Sequence, residues 1–312
     1  MNIDVSVVTP TYNRANTLPR LYKSLAAQTN LNFEWVVVDD GSYDDTRELI
    51  AKLKNEAPFP VHYFYKENGG AHTARNLGAQ KAKGYLILNM DSDDTMPPDV
   101  VEFGLKTWGK LEDSENYAMI NGRSVYENGE LVGKKFPSRM NLLPARKQKR
   151  LMRNKHYNEC CEFYNAKIWK EHPCPESNEI KFVVEGTVLF KLRAKYKVYY
   201  VDKAFRIYYL GQENQLTKQG PVYETLNPAY LFYLELFNHI FSIDDSFTVY
   251  EKCNYMIRLI YAAVRVGTSL REIRADLNKS ADYIWAALLY LPVKLCAKAI
   301  GTANCALQVK EQ

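Results

Sequence analysis

Hydrophobic and polar residues follow a repeating pattern over the first part of the chain. Four short apolar runs, rich in β-branched residues, are each followed by a polar segment in which apolar residues recur at helical spacing. The runs cover residues 3–8, 33–38, 61–65 and 85–90. Strands that alternate with helices through short loops predict an α/β fold, with a mostly parallel, Rossmann-like sheet flanked by helices and joined by right-handed crossovers.

Helical spacing dominates the last third of the chain, where helices are predicted at 230–240, 249–264, 269–277 and 281–300. Before them, two strands at 197–201 and 205–209 are predicted to close the first domain. Asp44 is the predicted N-cap of the second helix. We expect a first domain over 1–218, with halves 1–110 and 111–218, and a helical C-terminal extension over 219–312.

Polar side chains cluster just past the carboxyl ends of the predicted strands. They are Tyr12, Asp39, Asp40, the segment Asp91 to Asp94, and Arg75 on the helix after the third strand. In an open α/β sheet this edge is where ligands bind. A nucleotide fits the set, because an aromatic ring can lie beside a base and a carboxylate can accept from a base N–H. No G-x-G-x-x-G or P-loop pattern occurs, which disfavours dinucleotide cofactors and a Walker-type ATP site.

The acidic segment after the fourth strand has chemistry of its own. Three carboxylates within four residues need positive partners or water to offset their desolvation. Because side chains along an extended backbone repeat every second residue, Asp91 and Asp93 point the same way. That arrangement suits a hard divalent ion that also binds phosphate oxygens. The alternative is a solvated acidic turn that caps the helix after Pro97 and Pro98.

Composition narrows the class of protein further. The 312 residues are 46% hydrophobic and 25% charged with a net charge of +5, which is typical of a folded protein with a core. The small charge excess and the lack of a binding motif argue against nucleic acid. Six cysteines without a C-x-x-C pair predict reduced thiols in a cytoplasmic compartment. The apolar run Val5–Val8 is too short for a signal peptide, so export by that route is not expected.

Four segments in order resemble family 2 glycosyltransferases with a GT-A fold. They are VSVVTPTYN (5–13), VVVDDGSYDDT (36–46), NGGAHTARNLG (68–78) and LNMDSDD (88–94). The resemblance covers about the first 110 residues. It implies that 1–110 is the nucleotide-binding half and 111–218 the acceptor half of a catalytic domain.

The resemblance also implies roles for individual residues. The nucleotide-binding residues would be Thr9, Pro10, Tyr12, Asn13, Asp39, Arg75, Asp91 and Ser92. Among these, Asp39 matches the carboxylate that contacts uracil and Asp91 lies near the ribose. Asp93 matches the ligand of Mn²⁺ or Mg²⁺, while Asp94 either positions metal-bound water or caps the next helix.

The catalytic base is the least regular part of the resemblance. Family members place a Glu-Asp pair at the start of a helix, and here Glu185 is followed by Gly186. Glu185 matches the first residue of that pair and is therefore the base that the resemblance implies. A helix N-terminus would keep it ionised, which is consistent with this role; a plain N-terminal helix acid is the alternative. Glu162 and Glu179 are weaker alternatives. No histidine lies in residues 206–215, where some members have a further metal ligand.

Together these features predict an inverting, metal-dependent hexosyl- or N-acetylhexosaminyltransferase. It would move a sugar from a nucleoside diphosphate donor, with UDP expected, to a hydroxyl of a saccharide or lipid-linked saccharide in surface polysaccharide synthesis. One alternative is a non-catalytic homologue that binds nucleotide sugars, which Gly186 allows. Another is a sugar nucleotidyltransferase, which is disfavoured because residues 9–16 lack glycine.

Two segments raise the question of partners beyond the substrates. The basic run Arg146 to Lys155 is either a solvated face or a contact with anions such as lipid headgroups. The predicted helix at 281–300 is too short to span a bilayer before Pro292, and either docks on the catalytic domain or lies in the membrane interface. The corresponding expectation is a cytoplasmic protein at the inner face of the plasma membrane. A homo-oligomer is a further expectation.

Overall fold

A computed structural model describes residues 3–153, 160–176, 182–183, 185–210 and 226–308, with the side chains of 226–227 and 298–308 left aside. The strands are β1 Val5–Thr11, β2 Phe33–Asp39, β3 Val61–Tyr65, β4 Leu86–Asn89, β5 Tyr117–Tyr126, β6 Cys160–Asn165 and β7 Lys197–Tyr208. The helices are α1 Leu18–Ala26, α2 Thr46–Glu56, α3 Ala71–Lys81, α4 Val100–Trp108, α5 Ala145–Met152, α6 Ala166–Glu171, α7 Gly186–Lys195, α8 Leu226–Glu235, α9 Val249–Arg265, α10 Leu270–Asp276 and α11 Ser280–Gln308.

The seven strands form one sheet in the order β3-β2-β1-β4-β6-β5-β7. Strands β1, β2, β3 and β4 pair in parallel, as the alternating pattern predicts. β6 runs antiparallel to both of its neighbours, and β7 is again parallel to β5. The predicted mixed α/β fold is therefore confirmed. Because β1 and β4 are neighbours, the residues that follow both strands share one edge of the sheet.

Two local predictions are wrong. The strands predicted at 197–201 and 205–209 are one continuous strand, β7, whose pairing with β5 shifts register at several points. The N-cap of α2 is Asp45 rather than Asp44. Asp44 instead accepts hydrogen bonds from the backbone N–H and the hydroxyl of Thr46, a local turn that uses its carboxylate before the helix begins.

The sheet packs against helices through close-fitting apolar surfaces. Buried residues from β1, β2 and β4 join α1, α2 and α4 in one core that includes Trp35, Leu21 and Ile50. On α3, a Cβ built at Gly78 would lie 2.3 Å from Cγ1 of Val8, so glycine allows this helix to approach β1. These contacts hold the carboxyl edge of the sheet in a defined geometry.

The chain forms two compact units. One comprises Met1–Phe182 and Lys195–Gln215, and the other comprises Val183–Ala194 and Leu216–Gln312. Most of α7, which the division at residue 218 assigns to the first domain, belongs to the second unit. That division stays a prediction. No helix in the described part of the chain is both long and apolar enough to cross a membrane.

The second unit has its own core. α8, α9, α10 and α11 contribute buried residues such as Leu234, Leu259 and Ile273. Capping boxes start α9 at Thr248 and α10 at Ser269. In each box the hydroxyl accepts from the backbone N–H of the glutamate three residues later, and the carboxylate of that glutamate accepts from the backbone N–H of the capping residue. The boundaries of the helices are thus set by local sequence.

Candidate nucleotide-sugar site

The loops after β1 and β2 are tied together at the carboxyl edge of the sheet. Asn13 adopts a left-handed conformation with φ of 53°, which asparagine tolerates better than most residues. Its backbone N–H donates to Oγ of Ser42 at 2.8 Å, and its Oδ1 accepts from the N–H of Tyr43 at 2.9 Å. The ring of Tyr12 is 44% exposed beside Tyr43, with the two rings edge to face. Tyr12 is therefore available for stacking, and its contact with a base stays a prediction.

Asp39, the predicted uracil contact, is buried at the end of β2. Its two oxygens accept from the N–H of Ser42 at 2.7 Å and from the hydroxyl of Tyr63 at 2.6 Å. Burial and this hydrogen bond raise the pKa of Tyr63, so the phenol keeps its proton. The fold uses both carboxylate oxygens, and a contact with a base requires one of their remaining lone pairs. The uracil contact stays a prediction.

Asp40 organises the loop that leads into α3. Its carboxylate accepts from Nζ of Lys66 at 2.7 Å and from the backbone N–H groups of Gly69 at 2.9 Å and Gly70 at 2.7 Å. Gly70 has φ of 96°, a conformation that favours glycine. The two glycines therefore serve the turn before α3, and α3 in turn places Arg75 at the site.

Asp91 lies between two arginines that are distant in sequence. Its Oδ1 accepts from Arg75 at 2.7 Å and its Oδ2 accepts from Arg206 at 3.3 Å. Burial by itself would raise the pKa of Asp91, but the two guanidinium groups outweigh it and the pKa lies below its usual range. Asp91 is consequently ionised and already neutralised by side chains of the protein.

Asp93 and Asp94 are less completely neutralised. Burial, followed by the charge of Asp91, raises the pKa of Asp93, and Arg14 at 3.6 Å offsets this only in part. Burial also raises the pKa of Asp94 to about 7, although Arg206 lies 3.6 Å away and the N–H of Tyr209 donates to it at 3.2 Å. A further cation beside these two carboxylates would favour their ionised forms.

Strand β7 completes the cluster. Thr95, in the loop after β4, exchanges backbone hydrogen bonds with Ile207 at 3.2 and 2.8 Å, which draws β7 to the acidic segment. The guanidinium carbon of Arg20 lies 3.5 Å from the centre of the Tyr209 ring, and Arg20 also donates to the carbonyl of Asp93. Four arginines, at positions 14, 20, 75 and 206, thus surround three aspartates.

The donor atoms fit a divalent ion that takes only part of its shell from the protein. Carboxylate oxygens are ligands that Mg²⁺ and Mn²⁺ accept. Asp91 is occupied by arginines, which leaves Asp93, the predicted ligand, and its neighbour Asp94 as the residues that could hold such an ion. The part of the chain that the structure describes contains no cluster of three acidic, histidine or cysteine side chains able to enclose a metal. Diphosphate oxygens and water as the remaining ligands stay a prediction.

Glu185, the predicted base, is an exposed residue directly before α7. Its carbonyl accepts from the N–H groups of Val188 and Leu189, both at 3.1 Å, so it belongs to the first turn of this helix. Residues 183–194 are part of the second compact unit. The assignment of Glu185 as base stays a prediction.

Of the two alternatives to Glu185, the structure describes Glu162 but not Glu179. Glu162 on β6 is buried and accepts from Asn121 and from the hydroxyl of Tyr164, both at 3.2 Å. It therefore has partners within the sheet. Glu179 lies outside the described residues.

Sequence reasoning missed Arg14, Arg20, Lys66 and Arg206. Arg14 and Arg20 follow β1, and Lys66 follows β3, so the rule that ligands bind beyond the carboxyl ends of strands could have found them. Arg206 is 115 residues from Asp91, and no spacing in the sequence relates the two. The sheet order brings them together, because β7 ends beside the loop that follows β4.

The model of the family described as glycosyl transferase family 2 matches residues 6–170, more than half of the chain. The chain therefore belongs to glycosyl transferase family 2, which confirms the resemblance. An uncharacterized glycosyltransferase of Rickettsia conorii is 37% identical over 147 residues. This alignment covers 45% of this chain, and the chain spans only 24% of the length of that relative.

A second relative and a solved structure cover more of the chain. The GalNAc(5)-diNAcBac-PP-undecaprenol beta-1,3-glucosyltransferase of Campylobacter jejuni is 28% identical over 252 residues, 74% of this chain and 72% of that protein. The crystal structure of S. aureus TarS 1–349 in complex with UDP-GlcNAc has a TM-score of 0.59 and 18% identity, and the match covers 96% of this chain and 92% of that one. The predicted GT-A fold is thereby confirmed.

Proposed function

We propose that this chain is an inverting, divalent-metal-dependent glycosyltransferase that uses a UDP-sugar as donor. The observation that carries the proposal is the cluster of three aspartates and four arginines at the carboxyl edge of the sheet. Arginine donates hydrogen bonds in a fork that suits phosphate oxygens. The arrangement offers positive charge to a diphosphate and a carboxylate, Asp93, to its metal ion.

In the proposed reaction an acceptor hydroxyl attacks the anomeric carbon of the donor sugar. A bond forms between the acceptor oxygen and that carbon, and the bond from the carbon to the diphosphate oxygen breaks. The carboxylate of Glu185 takes the hydroxyl proton. Charge accumulates on the departing diphosphate, where the arginines around Asp91 stabilise it. A divalent ion held by Asp93 would supply further electrostatic stabilisation of the leaving group.

The acceptor is proposed to be a saccharide or a lipid-linked saccharide of a surface polysaccharide. Similarity to the Campylobacter jejuni enzyme, whose name states a lipid-linked acceptor, supports this class. The transferred group is proposed to be a hexose or N-acetylhexosamine. The proposed compartment is the cytoplasm, where thiols such as those of Cys161 and Cys253 stay reduced.

Calorimetric titration tests the donor site directly. UDP, GDP and dTDP are each titrated with and without Mn²⁺ into wild type and Asp93→Asn. We expect UDP to bind most tightly and only wild type to gain affinity from Mn²⁺. Asp113→Asn is a matched control, because Asp113 is exposed, precedes β5 at the opposite edge of the sheet and has φ of 53°, which asparagine adopts readily. Binding of no nucleotide would overturn the proposal.

Donor hydrolysis and transfer test the base separately. Glu185→Gln should retain nucleotide affinity and lose turnover by about a hundredfold or more, as expected for loss of general base catalysis. Full turnover in this variant would refute the role of Glu185. Nucleotide binding by wild type without hydrolysis or transfer would favour the non-catalytic homologue that Gly186 allows.

A further inference from the structure

Helix α11 presents two different apolar faces. One face packs into the core of the second unit through Ala286, Val293 and Ala297, which are at most 8% exposed. The other face is exposed. Its residues are Ile284, Trp285, Leu288, Leu291, Pro292, Leu295 and Cys296, whereas the polar residues of this segment, Tyr290 and Lys294, are half-buried.

These seven residues, hereafter the exposed stripe, form one continuous surface. Positions 284, 288, 291 and 295 recur at intervals of four, three and four, so their side chains lie on one line along the helix. Each of the four is 60% to 66% exposed. From 284 to 296 the stripe runs for roughly 18 Å, at about 1.5 Å per residue. Contiguous apolar patches of this kind mark interaction sites.

The stripe belongs to a group of packed helices, α9, α10 and α11, that carries an excess of basic residues. Residues 257–297 contain six Lys or Arg and three Asp or Glu, an excess of three positive charges. Arg258, Arg265, Arg271, Arg274 and Lys279 are exposed. Two of the three acids are used within the fold. Glu272 belongs to the capping box of α10, and Asp276 accepts from the hydroxyl of Tyr230 at 2.6 Å.

We propose that the exposed stripe of α11 inserts into the interface of an anionic phospholipid membrane, with the helix axis parallel to the surface. Leucine, isoleucine and tryptophan side chains would enter the boundary between headgroups and acyl chains, and the surrounding cations would attract acidic headgroups. Lys294 is half-buried within the same helix, where its long stem can reach the headgroups. This inference does not depend on the proposed transferase activity.

Charge distinguishes a membrane from a second copy of the chain as the occupant. A symmetric dimer places the same surface of both copies face to face, so the cations around the stripe would meet like charges. An anionic bilayer pairs those cations with phosphate groups. Charge complementarity therefore favours the membrane.

Co-sedimentation with vesicles tests the proposal without any substrate. Wild type is expected to bind vesicles of phosphatidylglycerol and phosphatidylcholine in equal parts, and to bind phosphatidylcholine vesicles more weakly. Leu288→Gln/Leu295→Gln should weaken binding by about tenfold or more, because two apolar side chains no longer enter the membrane. Both positions are exposed, so the fold should be retained, which near-ultraviolet circular dichroism checks.

The control variant is Val249→Gln/Tyr250→Gln, because these residues of α9 are 77% and 79% exposed and lie outside the stripe. Its binding should stay within about twofold of wild type. Equal binding by the two variants, or no binding of wild type to anionic vesicles, would overturn the proposal. So would a concentration-dependent dimer in sedimentation velocity that only the stripe variant abolishes, since a second copy would then cover the helix.

Tryptophan fluorescence supplies an independent measurement. Trp35, Trp108 and Trp169 are at most 8% exposed, whereas Trp285 on the stripe is 53% exposed. Quenching by aqueous acrylamide should therefore report mainly on Trp285 and should fall when anionic vesicles are added. The fall should disappear in Trp285→Phe. Quenching that anionic vesicles leave unchanged in wild type would contradict insertion.

Discussion

Arg206 connects two carboxylates that follow β4 although it lies on β7 and has no counterpart in the sequence motifs. Its side chain contacts Asp91 at 3.3 Å and Asp94 at 3.6 Å, and its Nε donates to the hydroxyl of Ser124 at 3.0 Å. Removing it would leave the buried Asp94 and the partly exposed Asp91 without one of their positive partners. Its planar fork also makes lysine a poor substitute.

We therefore predict that Arg206→Gln weakens binding of UDP with Mn²⁺ by about tenfold to a hundredfold, the effect of losing charged hydrogen bonds. Arg206→Lys should recover only part of the loss. Calorimetric titration measures both, with Arg139→Gln as the control because Arg139 is an exposed arginine elsewhere in the chain. Wild-type affinity in Arg206→Gln would show that this arginine supports only the fold.

His72 is a second residue whose state follows from the fold. It is 3% exposed in the first turn of α3, and among the residues that the structure describes neither ring nitrogen has a hydrogen-bond partner. Burial lowers the pKa of His72. The charges of Glu176 and Asp40 raise the pKa, while those of Arg75 and Lys66 lower it. The folded protein therefore contains neutral His72 at pH values where an unfolded chain is already protonated.

This lowered pKa predicts a loss of stability in acid. The stabilising contribution is complete above the unfolded pKa of about 6.5 and is lost as the pH falls below it, at no more than about 1.4 kcal/mol per pH unit. In His72→Gln, the free energy of unfolding should therefore depend less on pH over this range. Urea unfolding between about pH 7.5 and 5.5 measures it, with the half-exposed His239→Gln as control. An unchanged slope in His72→Gln would contradict a neutral buried histidine.

Helix α4 depends on glycine for its distance from the sheet. A Cβ built at Gly104 would lie 2.6 Å from Cζ of Phe163 on β6, closer than side-chain atoms approach. Gly104→Ala should gain helix propensity but lose more through this clash. We expect a net loss of about 1 to 3 kcal/mol in the free energy of unfolding, as overpacking usually costs.

Denaturant titration measures this loss against Gly109→Ala. Gly109 has φ of −65° at the end of the same helix, and its Cβ would meet only the carbonyl of Leu105 at 3.4 Å. The control variant should be close to neutral. Equal effects of the two substitutions would argue against the close contact between α4 and β6.

Helix α5 presents charge rather than apolar surface. Arg146, Lys147 and Arg150 are exposed, and the chain from 131 to 158 has no Asp or Glu. We predict that replacing these three residues with glutamate reduces binding to anionic vesicles, because each cation near such a surface contributes about 1 kcal/mol to the binding free energy. The remaining binding should depend less on salt concentration than that of wild type. Unchanged partitioning in co-sedimentation would leave α5 as a solvated helix. Lys155, part of the same basic run, lies outside the described residues.

At the scale of the whole molecule, two separate hydrophobic cores support the two compact units. Leu21 on α1 and Leu259 on α9 are fully buried in different cores. Replacing either with alanine should cost about 2 to 5 kcal/mol, the usual range for a buried leucine. Since the residues of the proposed nucleotide site lie in the first unit, ligand binding should stabilise that unit by mass action.

Differential scanning calorimetry can show whether the ligand stabilises the first unit without stabilising the second. UDP with Mn²⁺ should raise the midpoint temperature of the transition that Leu21→Ala lowers. It should not change the midpoint temperature of the transition that Leu259→Ala lowers. A single transition that both substitutions and the ligand shift together would show that the units unfold as one cooperative body.

Local sequence determined the first four strand–helix pairs, because hydrophobic periodicity and turn residues act over a few positions. It also determined the family, since the four motifs follow strands in the matched segment of 165 residues. Asp91 and Asp93 could also be singled out from the sequence. Charged residues directly after a buried strand lose hydration unless they have a positive partner or water, so they draw attention to a site.

Only the tertiary structure decided what neutralises those charges and which surfaces remain uncovered. Arg206 reaches Asp91 because β7 pairs beyond β5 and meets the loop after β4, a juxtaposition that no spacing encodes. The internal partners of Asp39 likewise depend on how β2 pairs with β3. On α11, an apolar sequence alone does not reveal which residues pack inward. The fold assigns Ala286 and Val293 to the core and leaves the exposed stripe outside, because a helix turns its residues to opposite sides.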